Sequence, residues 1–157
     1  MLRTAILSCV FTGLAGMAGA AEVSRSVTVD ADASAVWQVV GPFCAIADWY
    51  PGIETCSEEE IGGATHRRLG TADGGEFLEE ELAHDDAGMS YSYAIIEGPL
   101  PVQDYESTLS VDESGGGAVI TWKSTFEPKG ATAEEATTVM VGVYDAGLEA
   151  LQKQFAQ

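Results

Sequence analysis

Apolar positions change their period along this chain, and each change marks an element. Over residues 23–29 they alternate, with Val23, Arg25, Val27 and Val29 on one side, the spacing of a half-buried strand. Asp30-Ala31-Asp32 ends that strand. Val36, Trp37, Val39 and Val40 then recur at helical spacing, with Asp32 or Ser34 placed to cap the helix and Gly41-Pro42 to stop it. A second short helix is predicted over residues 43–49, closed by Tyr50-Pro51-Gly52. Period two returns for six candidate strands, at 53–60, 65–71, 76–84, 90–97, 104–112 and 118–127. The connections are turn signals: Gly62-Gly63, Asp73-Gly74-Gly75, Asp85-Asp86-Ala87-Gly88 and Ser114-Gly115-Gly116-Gly117. Gly98-Pro99-Leu100-Pro101 differs from these, because its prolines stiffen the backbone and remove donors. It predicts a shaped loop at the mouth of a cavity.

The last element is a long helix. Thr132-Ala133-Glu134-Glu135 matches a capping box, and Ala136, Met140, Val143, Tyr144, Gly147, Leu148, Leu151 and Phe155 follow at spacings of three and four. Such a helix is roughly 36 Å long. Gly142 and Gly147 interrupt it at roughly 1 kcal/mol each relative to Ala, which leaves close approach of a neighbour or simple tolerance as the reason. The order strand, two small helices, six strands and long helix predicts an α+β fold, a curved antiparallel sheet of about seven strands around the C-terminal helix.

At 157 residues the chain suits a single domain with a sizeable core. Its first twenty residues read separately: Arg3, an apolar run at 5–15 broken by Thr12 and Gly13, and the small-residue pattern Ala18-Gly19-Ala20. That is the pattern of a secretory signal peptide over 1–20, cut after Ala20 or Ala21, and too short an apolar run to span a bilayer. The expectation is a periplasmic or secreted domain over 22–157, without membrane insertion after cleavage. Export places Cys44 and Cys56 in an oxidising compartment, where they pair or stay as two buried thiols. A bridge across so short a loop stabilises by roughly 3 kcal/mol.

Twenty-five acidic residues against seven basic give a formal charge of −18. Nucleic acid is excluded as a partner, and anionic membrane surfaces are disfavoured. A basic protein partner would be attracted through salt-sensitive steering; solubility alone also accounts for the charge.

Ala35-Val36-Trp37 followed by Phe43, Trp49 and Pro51 begins a wider pattern. Asp73-Gly74-Gly75 continues it, then Tyr91 and Tyr93 with Glu97-Gly98-Pro99-Leu100-Pro101-Val102 and Tyr105, Thr121-Trp122 with Phe126, and Gly142-Val143-Tyr144 with Ala146-Gly147-Leu148. In this order the residues resemble the START-like, Bet v 1-like superfamily and, within it, the polyketide cyclase/dehydrase-like group. They are also similar to the exported accessory proteins of bacterial methanol oxidation in that superfamily. The resemblance implies a helix-grip fold that binds a small hydrophobic molecule between sheet and helix. It also implies two alternatives: an acidic accessory module that docks a basic periplasmic redox protein, and a cyclase or dehydratase-like enzyme.

Strand parity names the side chains that can reach such a pocket. Tyr91, Tyr93, Ile95 and Glu97 share a face, as do Tyr105, Ser107, Leu109 and Val111, and Ile120, Trp122, Ser124 and Phe126. With Met140 and Tyr144 of the long helix they make a candidate ligand-binding lining; a filled core is the competing reading. Arg67 and Glu79 stand on adjacent strands across the Asp73-Gly74-Gly75 turn, as an inward pair that either orients a polar ligand group or acts as a strut. No catalytic residue is assigned. Neither His66 nor His84 has metal-ligand spacing, and nucleophile, phosphate-loop and dinucleotide motifs are missing, so no metal or cofactor is predicted. Proton transfer by Glu97, Tyr93 or Tyr105 is what an enzyme would have to use.

Overall fold

The computed structural model describes residues 20–156. The signal-peptide reading of residues 1–20 falls almost entirely outside that range. Nine alternating residues form β1 (Ala21–Val29), and the two small helices α1 (Ala33–Val40) and α2 (Ile46–Trp49) follow. Then come β2 (Ile53–Ile61), β3 (Ala64–Thr71), β4 (Glu76–Asp85), β5 (Ser90–Glu97), β6 (Val102–Ser114), β7 (Gly117–Pro128) and α3 (Ala133–Phe155). The seven strands form one antiparallel sheet in the order β1-β7-β6-β5-β4-β3-β2, so β2 to β7 are a meander and β1 crosses to the far edge. This is the α+β helix-grip architecture that the pattern predicts.

Local details differ from the sequence reading in instructive ways. The second helix is split: a 3-10 turn at Phe43–Ala45 precedes the single α turn of α2. Asp32 holds the N-cap position of α1 but its side chain makes no cap hydrogen bond. At α3 the capping box is complete, with the Thr132 side chain accepting from the Glu135 N–H and the Glu135 carboxylate accepting from the Thr132 N–H. The β2–β3 hairpin turns on Gly62 and Gly63, both at positive φ (64° and 87°), as a tight right-twisted hairpin requires.

Where α3 lies on the sheet decides the rest of the molecule. Its backbone runs along β1 and β7 and stands away from β2 to β5. On the near side Val36 and Val40 of α1 and Leu109, Val111 and Ile120 of the sheet are wholly buried, and Met140, Tyr144 and Leu151 cover the sheet from α3. Gly147 is the point of closest approach: a Cβ there would sit 2.9 Å from both the Trp122 and the Tyr50 rings. A Cβ at Gly142 would meet nothing within 4 Å, so the two helix glycines differ in kind.

Four irregularities interrupt the ladders, the first between Ile53 and Thr55 at the start of β2. In β4–β5 the pairing passes from Glu79 opposite Ile95 to Leu78 opposite Glu97, so Ile96 is bulged out of the ladder. A second shift between Glu81 and Ala83 bulges Leu82 and leaves His84 opposite Tyr91. In β6 the pairing slips between Gln103 and Glu106, where Asp104 takes a positive φ of 49°.

Candidate functional site

On the side where α3 stands away from the sheet there is a cavity of about 350 Å³. Its sheet wall is Leu69, Phe77, Glu79, Tyr93, Ile95, Tyr105 and Trp122, and α3 contributes Met140 and Val143. Ile46, Tyr50, Pro51, Gly52 and Ile53 close it from α2 and its exit, Thr71 comes from the end of β3, and Ala72, Asp73 and Leu100 come from neighbouring loops. Leu100 belongs to the proline-stiffened loop, which therefore stands at the cavity as its sequence predicts. The volume is near the lower end of small-molecule pockets, and the wall is chiefly apolar and aromatic with a few polar groups.

The 3-10 turn and α2 are held over this hollow by bonds other than packing. The Cys44 and Cys56 sulfurs lie at bonding distance, with Cα atoms 5.5 Å apart, joining the 3-10 turn to β2. Beneath the turn, fully buried Arg67 donates through Nε to Glu79 Oε2 at 2.6 Å and through Nη1 to the Phe43 carbonyl. Its guanidinium carbon lies 4.1 Å from the centre of the Phe43 ring and 4.8 Å from that of Tyr93. Burial lowers the Arg67 pKa, but the Glu79 carboxylate, with Tyr91 and Tyr93, more than reverses this and keeps the guanidinium charged. Glu79 shifts upward, because loss of water outweighs the pull of Arg67 on its carboxylate. The pair is thus a costly contact that leaves Arg67 Nη2 buried without a hydrogen-bond partner, and only its Glu79 member is in the cavity wall.

Hydroxyls form a buried ladder along the same sheet wall. Tyr105 and Tyr144 hydroxyls are 2.6 Å apart, Tyr144 is 3.3 Å from Ser107 Oγ, and Tyr93 is 3.4 Å from Tyr105. Trp122 Nε1 donates to both Tyr93 (3.1 Å) and Ser107 (3.0 Å), and the Trp122 ring stacks on Tyr144 with centroids 4.6 Å apart. Burial pushes Tyr93 and Tyr105 well above the usual phenol range and raises Tyr144 as well, so all three stay protonated near neutrality.

Of the candidate ligand-binding residues, Glu79, Tyr93, Tyr105, Trp122 and Met140 come together in the cavity wall. Arg67, Tyr91 and Tyr144 are buried behind it: Arg67 under Phe43, Tyr91 against Phe43 and His84, and Tyr144 under Trp122. Glu97 is outside. The bulge at Ile96 reverses its parity and pairs it with Leu78, so it is exposed at the end of β5 and does not share the face of Tyr91 and Tyr93. Tyr50, Ile53, Phe77 and Val143 join the lining although strand parity does not single them out. Their only signals in the sequence are the Tyr50-Pro51-Gly52 punctuation and the helical repeat that includes Val143.

A seven-stranded sheet gripping one helix around a hollow defines the START-like, Bet v 1-like class of proteins. Within it, the family described as polyketide cyclase / dehydrase and lipid transport matches residues 20–156, and the chain belongs to that family. Among solved structures, the protein XoxI from Bacillus cereus is 33% identical, with 87% of this chain and 96% of that chain covered at a TM-score of 0.83. An uncharacterised protein from Bacillus thuringiensis is 32% identical, with coverage of 87% and 100% and a TM-score of 0.81. The ZhuI aromatase/cyclase from Streptomyces sp. R1128 shares the fold at 20% identity, coverage of 88% and 94%, and a TM-score of 0.70. No curated protein matches the chain significantly.

Proposed function

We propose that this is an exported, periplasmic or secreted protein that binds a small hydrophobic molecule in the cavity between α3 and β3–β6. The observation that carries the reading is the cavity itself: the aromatic side chains of the concave face leave about 350 Å³ of space where a filled core would have none. Family membership supports it, since lipid transport is part of the family's description. The wall favours holding over reacting. Its phenols are pushed well above the range where they exchange protons near neutrality, and both histidines lie outside the wall. Glu97, the third candidate for proton transfer, is exposed away from the cavity. Native mass spectrometry of gently purified protein should show a mass excess that organic extraction removes. A bare polypeptide mass, together with no uptake of hydrophobic probes, would reject the reading.

A second reading has a specific observation behind it. The edge strand β2 exposes Glu54, Glu58, Glu59 and Glu60, and Arg68 on neighbouring β3, an exposed cation, is tied to Glu59 at 2.8 Å. A partner on that edge would have to be basic, as a redox protein of the methanol-oxidation type would be. Binding of such a partner should weaken steeply between low and physiological salt; salt-insensitive binding would remove this alternative.

A further inference from the structure

The hydroxyl ladder has a direction, and the direction leaves one donor at the cavity. Ser107 Oγ donates its proton to the Lys123 carbonyl at 2.9 Å, so it can only accept from its other neighbours. Trp122 Nε1 is always a donor, and it aims at Ser107 and at Tyr93. With Ser107 an acceptor, Tyr144 donates to it, and Tyr105 donates to Tyr144 across the short 2.6 Å contact. The Tyr93 oxygen is then occupied by the Trp122 N–H, while the Tyr93 proton has only the Tyr105 oxygen, 3.4 Å away, at the long limit of a hydrogen bond. Tyr93 is a wall residue, so a better acceptor inside the cavity would take that proton.

Charge at the same wall narrows the ligand further. Glu79 and Asp73 both face the cavity. The Thr71 hydroxyl and the Gly75 N–H hold the Asp73 carboxyl below the usual range, so it is ionised at neutral pH. The nearby cation, Arg67, bonds Glu79 and the Phe43 carbonyl, and although its Nη2 has no partner it lies behind the wall and does not reach the cavity. An anionic ligand would meet carboxylates without a free counter-charge.

We infer that the cavity selects an uncharged, largely apolar molecule whose carbonyl oxygen accepts a hydrogen bond from the Tyr93 hydroxyl, and that it rejects carboxylates. This inference rests on the cavity-binding reading and adds the ligand class. Three probes of nearly one shape test it by titration calorimetry on the folded protein: 2-acetylnaphthalene, 2-isopropylnaphthalene and 2-naphthoate. The ketone should bind about fivefold to tenfold tighter than the hydrocarbon, the worth of one buried hydrogen bond, and the carboxylate should bind weakest. Tyr93→Phe should bring the ketone to the level of the hydrocarbon while leaving the hydrocarbon unchanged. Equal binding by all three, tightest binding of 2-naphthoate, or a ketone preference that survives in Tyr93→Phe would overturn the inference and leave the cavity reading standing. No binding by any probe would overturn both.

Discussion

The two sides of this sheet are held together by different physics. Beneath β1, β7 and β6, where α3 and α1 lie close, wholly buried Val36, Leu109, Val111 and Ile120 pack against one another, and area removed from water supplies the stability. Across β2 to β5 the helix stands off and a hollow remains, so Phe43, Ile46 and Trp49 of the covering segment are buried but pack over only part of that face. There the covering segment is fastened at points: the Cys44–Cys56 contact, the Arg67–Glu79 pair with its bond to the Phe43 carbonyl, and the Tyr50 hydroxyl donating to the Val143 carbonyl at 3.1 Å. A hollow in a fold has to be kept open, and discrete polar and covalent ties can do so where close packing would fill it. The buried ion pair is accordingly part of the cavity's frame.

Arg67 is where this contrast is most exposed to refutation. Arg67→Ala leaves Glu79 buried without its partner and should lower unfolding free energy by about 3–5 kcal/mol in a denaturant titration. Replacing both members with apolar residues, Arg67→Met with Glu79→Leu, should recover most of that loss; a double variant as unstable as the single one would show that the pair is more than a frame. Next in size are truncations on the two sides. Leu109→Ala, in the filled half, should lower stability by about 3 kcal/mol, whereas Ile95→Ala, already beside the hollow and half-buried, should lower it by about 1 kcal/mol. Equal losses would mean that the two halves are packed alike.

Smaller effects locate the boundary between the halves. Gly147→Ala forces a methyl to within 2.9 Å of Trp122 and Tyr50 and should cost about 1–3 kcal/mol. Gly142→Ala, with open space around it, should raise stability by about 1 kcal/mol through helix propensity. Thermal melts of both variants read the contrast directly, and a neutral Gly147→Ala would remove the close approach as the seam between helix and sheet. The smallest effect belongs to His84, which stacks on Tyr91 with ring centroids 6.0 Å apart. Burial lowers its pKa, but hydrogen bonds and charge from Glu81 and Asp86 outweigh this and raise it above the ordinary value. The folded state therefore holds the proton more tightly than the unfolded chain. The resulting stabilisation is full below about pH 6.5 and disappears as pH rises through the higher folded value. The melting temperature of wild type relative to His84→Gln should accordingly be greater at pH 5.5 than at pH 8.5, and a pH-independent difference would refute the linkage.

Much of this arrangement is legible in the residue pattern. Alternation places Tyr93, Tyr105 and Trp122 on the concave face, and the register bears that out, because a strand's side chains keep their face as long as the ladder is regular. The failure at Glu97 has the same cause with the opposite outcome. One bulged residue, Ile96, is invisible to periodicity and reverses everything after it. A comparable slip at Leu82 turns His84, still exposed, onto the face of Tyr91. Tyr50, Phe77 and Val143 escape such a reading because parity says which face a residue takes and nothing about where on that face the helix lifts away.

Element order, the α+β class, the complete α3 cap and the inward parity of the regular strands all follow from the sequence alone. Each depends on neighbours a few residues apart or on a repeating period. Three further features came only with the packed fold: α3 leans toward β1 and β7, Arg67 is a tie behind the wall while Glu79 belongs to it, and a hollow remains. These depend on distances between elements far apart in the chain, set by side-chain volumes at crossings such as Gly147 against Trp122, and no local pattern encodes such distances.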